Sequence, residues 1–356
     1  MSKKVLIMAG GTGGHVFPAL AIARVLQERG YEILWLGTRG RMEEKLVPQS
    51  GFPIQYINVQ GIRRNGIKSK IKAPFMIFHA ICQALAVVRA FKPDVALGMG
   101  GYASGPGGIA ARLCRIPLVL HEQNAAAGLT NRLLSKVASI IMLGFPGAFS
   151  GSKVRNVGNP VRAEIVALHE KELLPSAEPL RILVVGGSLG AQALNEIVPK
   201  AVSLLNAHTI SVTHQCGGGH EAQTLQAYAQ CKAPHEVVEF ISDMAKAYST
   251  HDLIICRAGA STVAEVACAG IPAIFVPLPT AVDDHQTKNA GFLAEHGGAI
   301  ICAQKDLSAE KLANILKELA GDRKRLAAMR TQSLKCAITD AGIRAANIID
   351  DLVSLR

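Results

Sequence analysis

The chain has 356 residues, 49% of them hydrophobic and 18% charged, which suits about two cored domains and excludes a disordered chain. Its net charge of +11 is uneven: residues 1–161 carry 20 basic and 6 acidic side chains (+14), and residues 162–356 carry 18 and 21 (−3). So basic a half points to phosphate, anionic lipid or nucleic acid, and the 4% aromatic content and missing nucleic-acid motifs disfavour the last.

In chain order, Lys4 to Ala9 reads as a strand, too short for a signal-peptide core. Gly10 to His15 reads as a turn, and Phe17 to Arg29 as a helix stopped by Gly30. A second strand, Ile33 to Leu36, runs into Gly37-Thr38-Arg39. The apolar stretch Phe75 to Phe91 is interrupted by His79, Gln83 and Arg89 and is shorter than the ~20 residues of a bilayer crossing, so no span is expected. Asp94 to Gly101 is a strand and turn leading into a helix, followed by the strand Leu118 to Leu120. Gly158-Asn159-Pro160 marks a join, with a looser segment at Leu173 to Pro179.

The same plan then returns. Arg181 to Val185 is a strand, Gly186 to Gly190 a turn, and a helix starts at Ala191. Asp252 to Gly259 leads into a helix, and Ala273 to Val276 is a strand. The last helix, about Gly342 to Leu355, has no strand after it and could fold back on the first half. Alternating strands and helices of this kind give an α/β fold with parallel sheets, built twice. The expected domains are 1–161, with 340–356 packing back on it, and 162–339.

The eight cysteines include no C-x-x-C pair and lie mostly in apolar runs, as small core hydrophobes do. The glycine turns carry the chemistry. A Gly-rich turn between a strand and a helix aims backbone N–H groups and the helix dipole at an anion, phosphate above all. Gly10 to Gly14 does not complete G-x-G-x-x-G, and no acidic residue follows the second strand to hold an NAD ribose, although Arg39 there leaves an NADP phosphate, and so a dehydrogenase, as an alternative. No P-loop string occurs. A single such turn is as often a plain connection, but four of them suggest a ligand cleft at the carboxyl ends of both sheets.

Six strings occur in order: Gly10-Gly-Thr-Gly-Gly-His-Val-Phe-Pro18, Gly100-Gly-Tyr-Ala-Ser-Gly-Pro106, His121-Glu-Gln-Asn124, Gly158-Asn-Pro-Val-Arg162, Gly186-Gly-Ser-Leu-Gly-Ala191 and Arg257-Ala-Gly-Ala-Ser-Thr-Val-Ala-Glu265. Together they resemble the MurG family of peptidoglycan N-acetylglucosaminyltransferases over nearly the whole chain. The resemblance implies a GT-B fold, two Rossmann-like parallel-sheet domains facing across a cleft. It implies inverting transfer of N-acetylglucosamine from UDP-N-acetylglucosamine to undecaprenyl-diphosphate-linked muramyl-pentapeptide (lipid I), giving lipid II, at the cytoplasmic face of the inner membrane. Other cell-wall synthesis proteins are further expected partners; nucleic acid is not.

The matching donor residues are Thr12, Gly13, Gly14, Asn124, Arg162, Ser188, Ile241, Ala260, Ser261, Thr262, Val263, Ala264, Glu265, Gln286 and Asn289. Glu265 can accept from a ribose diol, and the Ala260 helix start can hold a diphosphate. Two positions depart from the pattern: Leu189 stands where a polar residue is common, and His285 replaces the first Gln of a pair. No D-x-D string occurs, so no cofactor or required metal is expected; the nucleotide sugar is a substrate. His15 is the candidate base, because histidine titrates near working pH and a helix N-terminus favours its neutral form; capping the turn or binding acceptor phosphate are its other readings. Glu122 is the rival base, or else a loop anchor. Acceptor loops are expected at Gly100, Gly101, Tyr102 and Ser104. A basic and apolar segment with Arg63, Arg64, Lys68, Lys72 and Phe75 is the candidate docking site on anionic lipid, or else a solvated loop before a core helix.

Overall fold

In the computed structural model, residues 2–59, 67–171, 179–187 and 189–355 are described, without the side chains of residues 67–73 and Val282. The chain divides into unit 1, Met1–Val161 with Asp340–Arg356, and unit 2, Arg162–Thr339.

Unit 1 alternates strictly: β1 (Lys4–Met8), α1 (Gly13–Glu28), β2 (Glu32–Gly37), α2 (Met42–Gln49), β3 (Ile54–Tyr56), α3 (Ile67–Phe91), β4 (Val95–Gly98), α4 (Ser104–Leu113), β5 (Leu118–Glu122), α5 (Leu129–Leu134), β6 (Ile140–Leu143) and β7 (Val154–Asn156). Its parallel sheet runs in the order β3-β2-β1-β4-β5-β6-β7. Unit 2 holds α6 (Ala163–Val166), β8 (Leu180–Val185), α7 (Gln192–Ser203), β9 (Ile210–Gln215), α8 (Glu221–Ala227), β10 (His235–Val238), α9 (Met244–Thr250), β11 (Leu253–Cys256), α10 (Ala260–Ala269), β12 (Ala273–Phe275), α11 (His285–Ala294), β13 (Ala299–Ile301), α12 (Ala309–Gly321) and α13 (Arg323–Lys335). Its parallel sheet runs β10-β9-β8-β11-β12-β13. Both are doubly wound sheets whose order reverses beside the first strand, between β1 and β4 and between β8 and β11.

The strands are apolar because both faces are covered: Val5, Leu6, Ile7 and Met8 are all fully buried, as are Leu253, Ile254 and Ile255. All eight cysteines are free thiols, and Cys216 and Cys302 pack into the unit 2 core. Helix α1 begins four residues before the expected start. The first-turn N–H groups of a helix need no intrahelical partner, so Gly13 and Gly14 enter it at little cost, and Val16 N already donates to Thr12 O. His15 therefore sits inside the first helical turn.

Helix α3 also exceeds expectation. It runs 25 residues, and Pro74–Phe91 has a mean hydropathy of 1.6 with 17% of it buried, long and apolar enough to cross a membrane. The sequence had placed this stretch below bilayer length. One stripe, Ala80, Ala84 and Val88, is in the unit 1 core, while Phe75 and Phe78 are 79% and 68% exposed.

The last helix, α14 (Ala341–Ser354), packs on α1 and inserts Ala345, Ala346 and Ile349 into the β1–β4 core. Polar contacts pin it: Asp350 accepts from Arg29 Nη1 at 2.6 Å and from the Tyr31 hydroxyl at 2.7 Å, and Asn347 Oδ1 accepts from Arg29 Nη2 at 2.8 Å. Burial pushes the Asp350 carboxyl up, but Tyr31, Arg29 and Lys3 together hold it below the ordinary aspartate value. An aspartate depressed in the native state stabilises above its unfolded pKa and loses that contribution as pH falls through the native value. Asp350→Asn is therefore expected to lower the melting temperature by roughly 2–4 °C at neutral pH. The gap from wild type should close as pH drops below about 4, read by calorimetry across pH.

Candidate functional site

In unit 1 the loops after β1 and β4 diverge from the reversal point. Gly10 and Gly37 leave room for the buried side chain of Glu43, where a Cβ would collide with it. Glu43 Oε2 accepts from Gly11 N at 2.9 Å, and Oε1 accepts from Thr38 N at 3.1 Å and the Thr38 hydroxyl at 2.7 Å. The Trp35 indole N–H donates to Ala9 O at 2.8 Å. Gly101 approaches the backbone of Gly10 so closely that only glycine fits, and its φ of +84° also calls for glycine. A Cβ at Gly100 would lie 3.0 Å from His15 Nε2, so the imidazole rests over this second turn. His15 Nδ1 is 3.1 Å from the Thr12 hydroxyl. When Nδ1–H donates to that oxygen, Nε2 is the ring's proton acceptor.

After β5 the chain makes a polar knot. His121 is fully buried, with Nε2 3.0 Å from Gly158 O and Nδ1 3.2 Å from Gln123 Nε2. Burial lowers its pKa to about 4, partly offset by the Gly158 carbonyl, so it is neutral and donates from Nε2. Glu122 accepts four hydrogen bonds: Asn124 N and Nδ2 on Oε1, Gly128 N and Asn131 Nδ2 on Oε2.

In unit 2 the corresponding turn follows β8. Gly187 N donates to Gln215 Oε1 at 2.9 Å, and Gln215 Nε2 returns a bond to Gly187 O at 3.0 Å. Across the reversal point, α10 starts at Ala260 after Gly259, and the first intrahelical bond runs from Val263 N to Gly259 O. The amides of Ala260, Ser261 and Thr262 thus precede the helical ladder, and the Ser261 hydroxyl is buried without a protein partner. One turn on, Glu265 shares the Ser261 face of the helix. Glu265 Oε1 accepts from Arg162 Nη2 at 3.1 Å and Nε at 3.3 Å, and Oε2 accepts from the Tyr248 hydroxyl at 3.0 Å. Burial raises the Glu265 pKa above the ordinary value, with Arg162 and Tyr248 opposing it. Amides at a helix start, an arginine and a carboxylate on one face offer donors to an anion and an acceptor to hydroxyls.

Residues 5–143 match the glycosyltransferase family 28 N-terminal domain, and residues 181–347 match the family 28 C-terminal domain. A UDP-N-acetylglucosamine--N-acetylmuramyl-(pentapeptide) pyrophosphoryl-undecaprenol N-acetylglucosamine transferase of Aeromonas hydrophila subsp. hydrophila is 55% identical over 98% of this chain and 96% of its own. Its namesake from Tolumonas auensis is 54% identical over 96% of this chain and 97% of its own. The chain belongs to glycosyltransferase family 28. The crystal structure of Acinetobacter baumannii MurG is similar at a TM-score of 0.85 and 44% identity, covering 98% of this chain and 99% of that one, so the fold is of the GT-B type. A putative UDP-N-acetylglucosamine 2-epimerase of Listeria monocytogenes is similar at 0.72 with 14% identity, which speaks for fold alone.

Against this family 28 frame, several expected site residues stand elsewhere than on an open surface. Glu122 is 2% exposed and accepts four hydrogen bonds, which is the geometry of the loop-anchor reading. Asn289 is fully buried and donates to Ala258 O at 3.1 Å, supporting the loop before α10. Ser104 is fully buried, its hydroxyl 2.7 Å from the carbonyls of Met8 and Gly100, so it ties α4 to β1. The Val263 and Ala264 side chains are core. Gln286 Oε1 is taken up by Leu278 N and Ala258 N, which leaves its NH2 to present.

Thr12, Gly13, Gly14, Gly100 and Gly101 come together around His15; Tyr102, 41% exposed, lies near them under the Arg41 guanidinium. Asn124 is half-buried on the Glu122 anchor, and Ile241 is half-buried in the loop after β10. Leu189 is 88% exposed. Ser188, Arg63 and Arg64 lie outside the described residues, as do the side chains of Lys68 and Lys72. Among the described residues no three His, Cys, Asp or Glu side chains converge as a metal site would require.

Sequence reasoning missed Glu43, Gln215 and Tyr248. Glu43 reads as an ordinary acidic first-turn residue; for Gln215 the one available signal is a polar residue ending an apolar strand. Glu122→Gln is expected to cost about 1–3 kcal/mol in urea unfolding, because an NH2 would face amide donors. A base with an exposed carboxylate would show no such loss.

Proposed function

We propose that this chain is the inverting transferase that moves N-acetylglucosamine from UDP-N-acetylglucosamine to the muramyl sugar of lipid I, forming lipid II. The observation that carries this reading is 55% identity over 98% of the chain to a relative of that name. The Glu265–Arg162–α10 geometry supports it, being the chemistry a uridine diphosphate needs.

The donor sits on unit 2. Glu265 accepts from the ribose diol, and Ser261, the amides of Ala260 to Thr262 and Arg162 hold the diphosphate, with Ser188 a further contact on the family resemblance. Ile241 meets the uracil through its backbone, and the Gln286 NH2 donates to the sugar. His15 Nε2 takes the proton of the acceptor hydroxyl as its oxygen attacks the anomeric carbon. The bond from that carbon to the diphosphate oxygen breaks on the opposite face, inverting the centre. UDP leaves with the electron pair, and the helix start and Arg162 stabilise its added charge, the part a cation would otherwise play. Gly100, Gly101 and Tyr102 shape the acceptor side.

Labelled UDP-N-acetylglucosamine with a lipid I analogue should give β-linked product; free sugar alone would overturn the reading. His15→Ala should lower turnover by about 10²–10⁴-fold. UDP affinity should stay within about a factor of two, separating chemistry from donor binding. Turnover within a few-fold of wild type would remove His15 as the base.

Unit 1 docks on the anionic cytoplasmic membrane surface. Its positive balance and the exposed Phe75 and Phe78 supply the two weak attractions that add. Replacing Arg63, Arg64, Lys68 and Lys72 by Glu should release the protein from anionic vesicles in a flotation assay. Unchanged binding would count against docking there.

A further inference from the structure

The two partners of Glu265 differ in kind. Arg162 is a long side chain, 34% exposed, able to swing away. Tyr248 is 1% exposed on α9, which packs against α10. Burial, with the nearby Glu265 charge, raises its phenol well above the ordinary value, so it remains a donor at working pH. A mobile cation can leave Glu265 when a ligand arrives; a buried phenol cannot.

A ribose diol donates two hydrogen bonds and needs two acceptor positions at fixed spacing. Glu265 Oε1 becomes available when Arg162 moves, and Oε2 keeps a lone pair beside the Tyr248 bond. The terminal torsion of a glutamate is broad, so an unclamped carboxylate would rotate to suit one hydroxyl as readily as two.

We propose that Tyr248 is a specificity-determining positioning residue: its buried hydroxyl clamps the Glu265 carboxylate in the orientation that reads both ribose hydroxyls, and so sets the preference for a ribonucleotide over a 2′-deoxyribonucleotide donor. Arg162 holds the diol position until the donor enters. The inference rests on Glu265 meeting the ribose. A clamped carboxylate facing a missing hydroxyl is left with an unsatisfied acceptor; a rotating one finds another partner.

The test compares kcat/KM for UDP-N-acetylglucosamine and its 2′-deoxyuridine analogue, with a lipid I analogue as acceptor. Tyr248→Phe should shrink the preference for the ribonucleotide about tenfold. Because the phenol favours ionised Glu265, its loss should also move the acid limb of kcat/KM to higher pH. Wild-type discrimination with an unmoved acid limb would overturn the proposal. Glu265→Ala separates the two readings. If it keeps wild-type discrimination, Glu265 does not read the ribose. If it loses discrimination while Tyr248→Phe keeps it, only the clamp fails. Should Tyr248→Phe fail to fold, 3,5-difluorotyrosine at position 248 keeps the ring and strengthens the donor. The acid limb should then move to lower pH, and an unmoved limb overturns the clamp.

Discussion

Each sheet reverses its strand order beside its first strand, and the loops that leave the two central strands must part there. The opening is useful only if the backbone can line it. Gly101 presses on Gly10 where no side chain fits, and β8 and β11 end on the Gly186 turn and the start of α10. Parallel strands deliver successive helix starts to one edge of the sheet, so each unit gathers unbonded amides without any dedicated residue. The site chemistry described above hangs on that edge.

Glycine turns are permissive, and permissive backbone needs support. Here the support is polar and buried. Glu43 holds the Gly10–Gly11 and Thr38 loops, Glu122 holds Asn124 to Asn131, Gln215 holds Gly187, and Asn289 holds Ala258. A buried carboxylate is costly without donors, and Glu43 and Glu122 each meet several. Such residues look catalytic by type and by neighbourhood, yet their acceptor capacity is spent inside the fold. His121 belongs with them: buried and neutral, it ties the end of β5 to Gly158. His15, by contrast, stands in a helical first turn with its ring over a neighbouring glycine.

The halves differ in charge. The basic half carries exposed aromatic side chains on α3, and the nearly neutral half carries the Glu265–Arg162 pair beside the start of α10. The units share a winding, but the polar groups on their sheet edges differ, and those groups are where function resides.

Much of the fold was legible because its signals are local. Apolar runs of four to six residues, turn glycines and repeated strand-turn-helix phrases specify alternation, and alternation specifies parallel sheets. The motif strings fall at the strand-to-helix junctions for the same reason, with His15 in the first turn of α1 and Glu265 in α10. Local pattern erred at boundaries: α1 started early because first-turn amides need no partner, and α3 ran past its apolar stretch. What the sequence by itself determined is the double α/β winding, the phosphate-seeking turns and the charge split. The tertiary structure alone decided that Glu122 gathers four donors, that α14 closes the β1–β4 core, and that Tyr248 meets Glu265. Those outcomes depend on hydrogen-bond partners brought together by strand order and helix packing, which no periodicity along the chain encodes.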